Sequence, residues 1–160
     1  MVARLWRTHT TFILIAGLVS LLIASVVAFV VTTFEPRLPV KLGVMTYQVK
    51  VADDEASRLK GLSNVSHLRA DEGMLFVFPN EATWGIWMKD MEIPIDILWL
   101  DSQGKVIHIV KNASPDIGTS QTFSPKKPAR YVLEIPAGSV DKNKFKVGAI
   151  AEFDLYGGSQ

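Results

Sequence analysis

Ile95-Asp96-Ile97-Leu98-Trp99-Leu100, then Asp101-Ser102-Gln103-Gly104, then Lys105-Val106-Ile107-His108-Ile109-Val110: this stretch decides the fold class. Two runs rich in β-branched and aromatic residues flank a D-x-x-G segment. Such side chains fit a pleated, half-buried surface, and Asp and Gly supply the turn, so the stretch predicts a β-hairpin.

The flanking sequence extends the β pattern. Met74-Leu75-Phe76-Val77-Phe78 is a continuous apolar run followed by Pro79-Asn80, which predicts a strand buried on both faces and stopped there. Val40 to Val51 (VKLGVMTYQVKV) reads as one first strand. Between the two lies Asp53 to Gly61. Asp53 is placed to cap, acids fill the first turn, bases fill the last, and Gly61 ends it, so a helix of about two turns is expected. Ser63 to Glu72 is a polar loop. Ser114 to Ala129 is a long irregular segment carrying Pro115, Pro125 and Pro128, a length that in compact domains often bears function. Arg130 to Ile135 and Ala149 to Tyr156 are the last strands, joined by a turn or short helix over Gly138 to Lys144. The pattern predicts a mostly β domain over 40–157, a small β-barrel or β-sandwich with one or two short helices.

A different element precedes it. Phe12 to Val31 (FILIAGLVSLLIASVVAFVV) holds no charge and no proline. About 20 such residues at 1.5 Å rise cover about 30 Å, the hydrocarbon thickness of a bilayer. We therefore expect a signal anchor over 12–33: one transmembrane helix, with 1–11 as a short cytoplasmic tail and 34–39 as a Pro-stiffened linker. Arg4 and Arg7 lie before the span, which favours a cytoplasmic N-terminus and a C-terminal domain outside the cytoplasm. A cleaved secretory signal is the alternative, with Val26-Val27-Ala28 as its processing site, but the apolar run exceeds a signal's usual length. The expected location is thus the cell membrane, in a single pass, with the lipid bilayer as partner through residues 12–33.

Composition removes several function classes. Lys plus Arg number 17 against 16 acids, a balance that gives no footprint for nucleic acid. There is no cysteine, so disulfides, thiolate catalysis and Cys-ligated zinc are excluded. His9, His67 and His108 are far apart in sequence, without metal-ligand spacing, and neither a metal nor a cofactor is expected. No nucleophile-elbow, P-loop or dinucleotide-binding pattern is present.

Several short strings together resemble one family. Asp71-Glu72-Gly73-Met74-Leu75-Phe76-Val77-Phe78 is similar to the D-E-G-M-L-F-x-F pattern of the domain of unknown function 192 family. Arg58-Leu59-Lys60-Gly61-Leu62 resembles its R-x-x-G-L segment, and Trp87-Met88-Lys89-Asp90-Met91 its W-M-K-N-[TM]. Ile93-Pro94-Ile95-Asp96 and Tyr131-Val132-Leu133-Glu134-Ile135-Pro136-Ala137-Gly138 resemble its I-P-L-D and V-L-E-x-P-A-G. The likeness runs from about Val44 to Leu155, with the strings in one order. Asp90 departs from the family's usual Asn, and Ser63-Asn64 from an apolar-aromatic pair. The resemblance implies a small β-rich fold, often exported or membrane-tethered, and carries no activity.

The candidate ligand-binding residues within these strings are Arg58, Asp71, Glu72, Trp87, Lys89, Asp90, Asp96 and Glu134. Asp96 and Glu134 each sit inside an apolar strand. They belong either to a solvated face or structural ion pair, or to two carboxylates converging on a cleft for acid–base work. Trp84, Trp87, Met88 and Met91 form either core or the lining of a groove. The leading expectation is a binding or accessory module for a cell-envelope peptide or glycan. A metal-free hydrolase or lyase using paired carboxylates is one alternative, and a scaffold for membrane-protein partners is another.

Overall fold

The computed structural model describes residues 15–26 and 36–155. The chain forms two compact units, Met1–Pro36 and Arg37–Gln160. In the first, helix α1 covers 15–26 and its Leu18, Leu21 and Leu22 are exposed. At 1.5 Å per residue, that described stretch is about 18 Å long. Among the described residues, no helix is long and apolar enough to cross a membrane. The rest of the expected span over 12–33 lies outside the described residues.

In the second unit, β1 (Leu38–Leu42) and β2 (Met45–Ala52) are followed by α2 (Glu55–Lys60) and β3 (Glu72–Ala82). Then come β4 (Ile95–Leu100), β5 (Val106–Ala113), a 3-10 turn (Pro115–Ile117), β6 (Ala129–Pro136), α3 (Ser139–Asn143) and β7 (Ala151–Glu152). The strands form one seven-stranded sheet in the order β5-β4-β6-β3-β2-β1-β7. Among the described strands only β2 and β3 run parallel, with α2 in the crossover between them, and the other pairs are antiparallel. The domain is therefore mostly β, as expected, and its sheet is a curled half-barrel. The curl nearly closes: an isolated bridge joins Lys105 to Ile150, and Ala151 N donates to Gly104 O at 2.8 Å. Gly104 makes that approach feasible, because a Cβ there would meet Ala151 O at 2.4 Å.

Three expectations are corrected. The single first strand over Val40–Val51 is two strands, because Gly43 takes φ +59° and turns the chain at Gly43-Val44. The linker over 34–39 is shorter, since Leu38 and Pro39 already pair with Val49 and Gln48. Strand β3 does not stop at Pro79-Asn80. It runs to Ala82 across a register shift between Val77 and Ala82, where a proline's missing donor disturbs no regular ladder. The hairpin at 95–110 forms as predicted, with Asp101 Oδ1 accepting from Gln103 N and Lys105 N.

Each face of the sheet carries its own apolar cluster. Val40, Tyr47, Val49, Leu75, Leu98, Leu133 and Ile135 fill the face enclosed by the curl, closed by Val140 and Phe145. Met74, Phe76, Phe78, Ile95, Ile97, Trp99 and Val132 fill the other face, under Leu62, Ile86 and Met88. Alternation along the strands divides Met74 to Phe78 of β3, the apolar residues of β4 and Tyr131 to Leu133 of β6 between the two clusters.

Candidate functional site

The second cluster is not fully covered. A cavity of about 400 Å³ opens between α2, β3 and the segment 84–91. Helix α2 stands beside it because its N-terminus is well capped. Asp54, rather than the expected Asp53, accepts from Ser57 N at 2.9 Å, and Ser57 Oγ accepts from Asp54 N at 3.2 Å. That bond to Ser57 also holds the Asp54 carboxyl below its ordinary range. Arg58 fastens the helix to the sheet, donating to Val77 O at 2.9 Å and to Asp53 O at 2.6 Å, with its guanidinium 5.6 Å from the centre of the Phe78 ring. Gly61 then ends the helix against Phe76, whose Cζ lies 3.3 Å from where a Cβ would stand. The R-x-x-G-L string is thus a docking device for α2.

The walls are aromatic. Phe76 and Phe78 alternate on β3, and Trp84 stacks on Phe78 with ring centres 4.3 Å apart. Trp84 is held by Nε1 donating to Asn80 O, and its own carbonyl accepts from Trp99 Nε1. Ile86 exchanges backbone hydrogen bonds with Phe123, pinning segment 84–91 to the long loop. Trp87, 43% exposed, forms part of the mouth, with Lys89 Nζ 5.9 Å from its ring centre. The basic side chains lining the cavity are Arg58, Lys60 and Lys89; the acids are Glu55 and Glu134.

Glu134 is the unusual member. It is 3% exposed and lines the cavity from β6, where it pairs with Met74 and Ile97. Its Oε2 is buried with no hydrogen-bond partner. Burial alone pushes its carboxyl up to about 8. A buried polar atom without a partner costs about 1–3 kcal/mol, so its presence under an open cavity calls for an explanation.

The eight candidates do not form one site. Arg58, Trp87, Lys89 and Glu134 line the cavity. Asp71 and Glu72 instead belong to an ion cluster at the start of β3: Arg69 lies 3.6 Å from Asp71 and 3.1 Å from Glu72, and Arg37 lies 3.3 Å from Glu72. Asp90 is exposed at φ +54°, a left-handed conformation that Asn and Asp tolerate best, which accounts for both the family's Asn and the Asp here. Asp96 is fully buried on the opposite face, where it accepts from Val140 N and Asn112 N, each at 2.8 Å. Its cross-strand partner is Ile135, whereas that of Glu134 is Ile97, so the two carboxylates point to opposite sides of the sheet. They cannot act as a pair. The aromatic and thioether group divides: Met88 is core, whereas Trp84, Trp87 and Met91 line the cavity. Phe76, Phe78 and Lys60 also line the cavity and are not among the eight candidates. Their signal in the sequence is their place in the family-like strings, with the i, i+2 spacing that puts Phe76 and Phe78 on one face of β3.

Glycine at position 73 completes the frame. A Cβ there would lie 2.4 Å from Glu134 O, so strands β3 and β6 approach closely only with glycine at that point.

This curled sheet, with its helix docked by R-x-x-G-L and its aromatic strand, defines a small β-rich domain class. The chain belongs to the DUF192 family, described as uncharacterized ACR, whose model matches residues 39–153. It is similar to a UPF0127 protein of Thermococcus gammatolerans, 31% identical over 112 residues, covering 67% of each chain. A UPF0127 protein of Thermococcus kodakarensis is 34% identical over 98 residues, covering 58% of this chain and 56% of the relative. Among solved structures, a proposed transcription regulator from Sinorhizobium meliloti aligns with TM-score 0.69 and 29% identity, covering 73% of this chain and 93% of that one. A protein of unknown function from Novosphingobium aromaticivorans aligns with TM-score 0.67 and 28% identity, covering 71% and 83%.

Proposed function

We propose that this protein is a membrane-anchored, extracytoplasmic binding module whose domain holds a cell-envelope peptide in the cavity between α2, β3 and segment 84–91. One observation carries the reading: an aromatic-walled cavity of about 400 Å³ with a buried, unpartnered carboxyl at Glu134. Concave apolar sites with a few placed polar groups are the usual form of a ligand pocket. The apolar walls favour a peptide side chain over a glycan, whose hydroxyls would each need a partner. The anchor rests on the charge-free run from Phe12 to Val31 and the arginines before it.

The binding test is tryptophan emission of the full chain in lipid nanodiscs, titrated with a library of short peptides and, separately, with soluble glycan oligomers. Peptides should shift the emission, and Trp87→Ala should weaken binding about tenfold or more, as expected for an aromatic anchor at a pocket mouth. Peptide binding that Trp87→Ala and Phe78→Ala leave intact would place the site elsewhere. For the anchor, replacing Leu21 and Leu22 by Arg adds roughly 2.5–3.5 kcal/mol per charge near a helix centre. The double variant should move to the soluble fraction, and protease applied outside intact spheroplasts should digest the wild-type domain. A domain protected from that protease would reverse the orientation.

A further inference from the structure

Resting on that binding reading, we infer the class of ligand: a bipolar molecule with an ammonium group on an apolar stem and a carboxylate at the other end, as in a chain-terminal lysine or a free ω-amino acid. The ammonium meets Glu134, the stem lies along the aromatic wall, and the carboxylate stays at the mouth with Lys60 and Lys89.

Three features of the cavity support this assignment. Glu134 Oε2 is buried and unpartnered, and no ion pair to Glu134 is formed among the described residues. A ligand group that reaches it must therefore form the missing hydrogen bond, and a cationic donor meeting the ionised carboxylate gives the strongest such bond in a desolvated site. The aromatic faces here already accept cations, since Arg58 lies over Phe78 and Lys89 over Trp87. The rest of the lining carries three bases, Arg58, Lys60 and Lys89, against one acid, Glu55. That excess repels a simple monocation and attracts an anion. A ligand with both charges, separated by an apolar stem, satisfies the ionised carboxyl and the basic lining together.

Binding carries a proton change. Burial holds the free Glu134 carboxyl protonated at pH 6.5, since its midpoint lies at about 8. An arriving ammonium keeps its own protons and stabilises the carboxylate, so the Glu134 proton leaves to solvent. Each binding event at pH 6.5 should release close to one proton.

The test uses the full chain in nanodiscs and three probes: N-acetyl-lysine, its C-terminal amide, and N-acetyl-norleucine. The amide lacks the carboxylate and the norleucine lacks the ammonium, while each keeps the stem. N-acetyl-lysine should bind at least tenfold more tightly than either. Glu134→Gln should reduce its advantage over the norleucine probe to within about threefold, and Lys89→Met should reduce its advantage over the amide. Calorimetry in two buffers of different ionisation heat should show the proton release in the wild type and none in Glu134→Gln. Free 6-aminohexanoate, run beside a lysine-terminated tetrapeptide, separates the two sources: the tighter of them is the natural kind. Equal binding of N-acetyl-lysine and N-acetyl-norleucine would overturn the ligand class while leaving a binding cavity. If no probe binds, and the peptide library also leaves the emission unchanged, both this inference and the binding reading fail.

Discussion

Glu134→Met is expected to make the protein more stable, by a margin that grows as pH rises. The wild-type carboxyl has its midpoint raised from 4.5 to about 8 by burial. Between those values the folded state holds a proton that the unfolded state has released, so stability falls as pH increases. The whole gap corresponds to on the order of 5 kcal/mol, lost progressively between about pH 4.5 and pH 8 and fully gone above it. Methionine has a similar reach, packs with Met74, Phe76 and Ile97, and does not titrate. Even at pH 4 it should stabilise by about 1–3 kcal/mol, the cost of the unpartnered oxygen. Urea unfolding at pH 4 and pH 9 measures both quantities. Parallel pH profiles for wild type and variant would mean that Glu134 finds a partner or solvent that the structure does not show. A residue this costly, kept beneath an open cavity, fits a group retained for binding.

Asp96→Asn should act in the opposite direction. Helix α3 begins at Gly138, which offers no side chain to cap it. Asp96 serves instead from β4, one oxygen taking Val140 N and the other Asn112 N. An amide supplies only one acceptor, and its NH2 must face the N–H of Val140 or of Asn112, which it cannot satisfy. The loss of a charge-assisted bond and an orphaned donor together cost about 2–4 kcal/mol. That is a large part of a typical domain's stability, and the melting temperature should fall by roughly 10–20 °C. Binding of the peptides measured below the transition should be unchanged, because Asp96 lies on the far face. A selective loss of binding with stability intact would return Asp96 to the site.

These two residues also show what was legible in the sequence. Each is an acid inside an apolar strand, and from the chain alone they look alike. What separates them is register: Ile97, not Asp96, stands opposite Glu134, and a slip of one residue moves a side chain to the other face. Register depends on tertiary pairing and leaves no mark in a single strand's composition. The 95–110 hairpin was legible because its turn chemistry is local. Strands β1 and β2 were read as one because the residues around Gly43 are mostly β-formers, and a single glycine carries the turn. The aromatic segment 84–91 was visible, but its role as one wall of a cavity needed α2 and Phe76 and Phe78 of β3 to be brought against it. Asp71, Glu72 and Asp90 stood out as polar residues in shared strings. Their uses are an ion cluster and a left-handed turn.

The tie between residues 104–106 and 148–151 sets an order on maturation. A chain made from its N-terminus presents β1 early, yet the outer edge of β1 is covered only by β7. Val106 likewise waits for Gly148 and Ala149 to exchange its backbone hydrogen bonds. Until those late residues emerge, two strand edges stand open as templates for any neighbouring chain. The nascent protein is therefore most prone to aggregate just before its last strand arrives. A stalled or shortened product ending before residue 148 should be cleared by quality control, even though both apolar clusters and the cavity lining are almost complete.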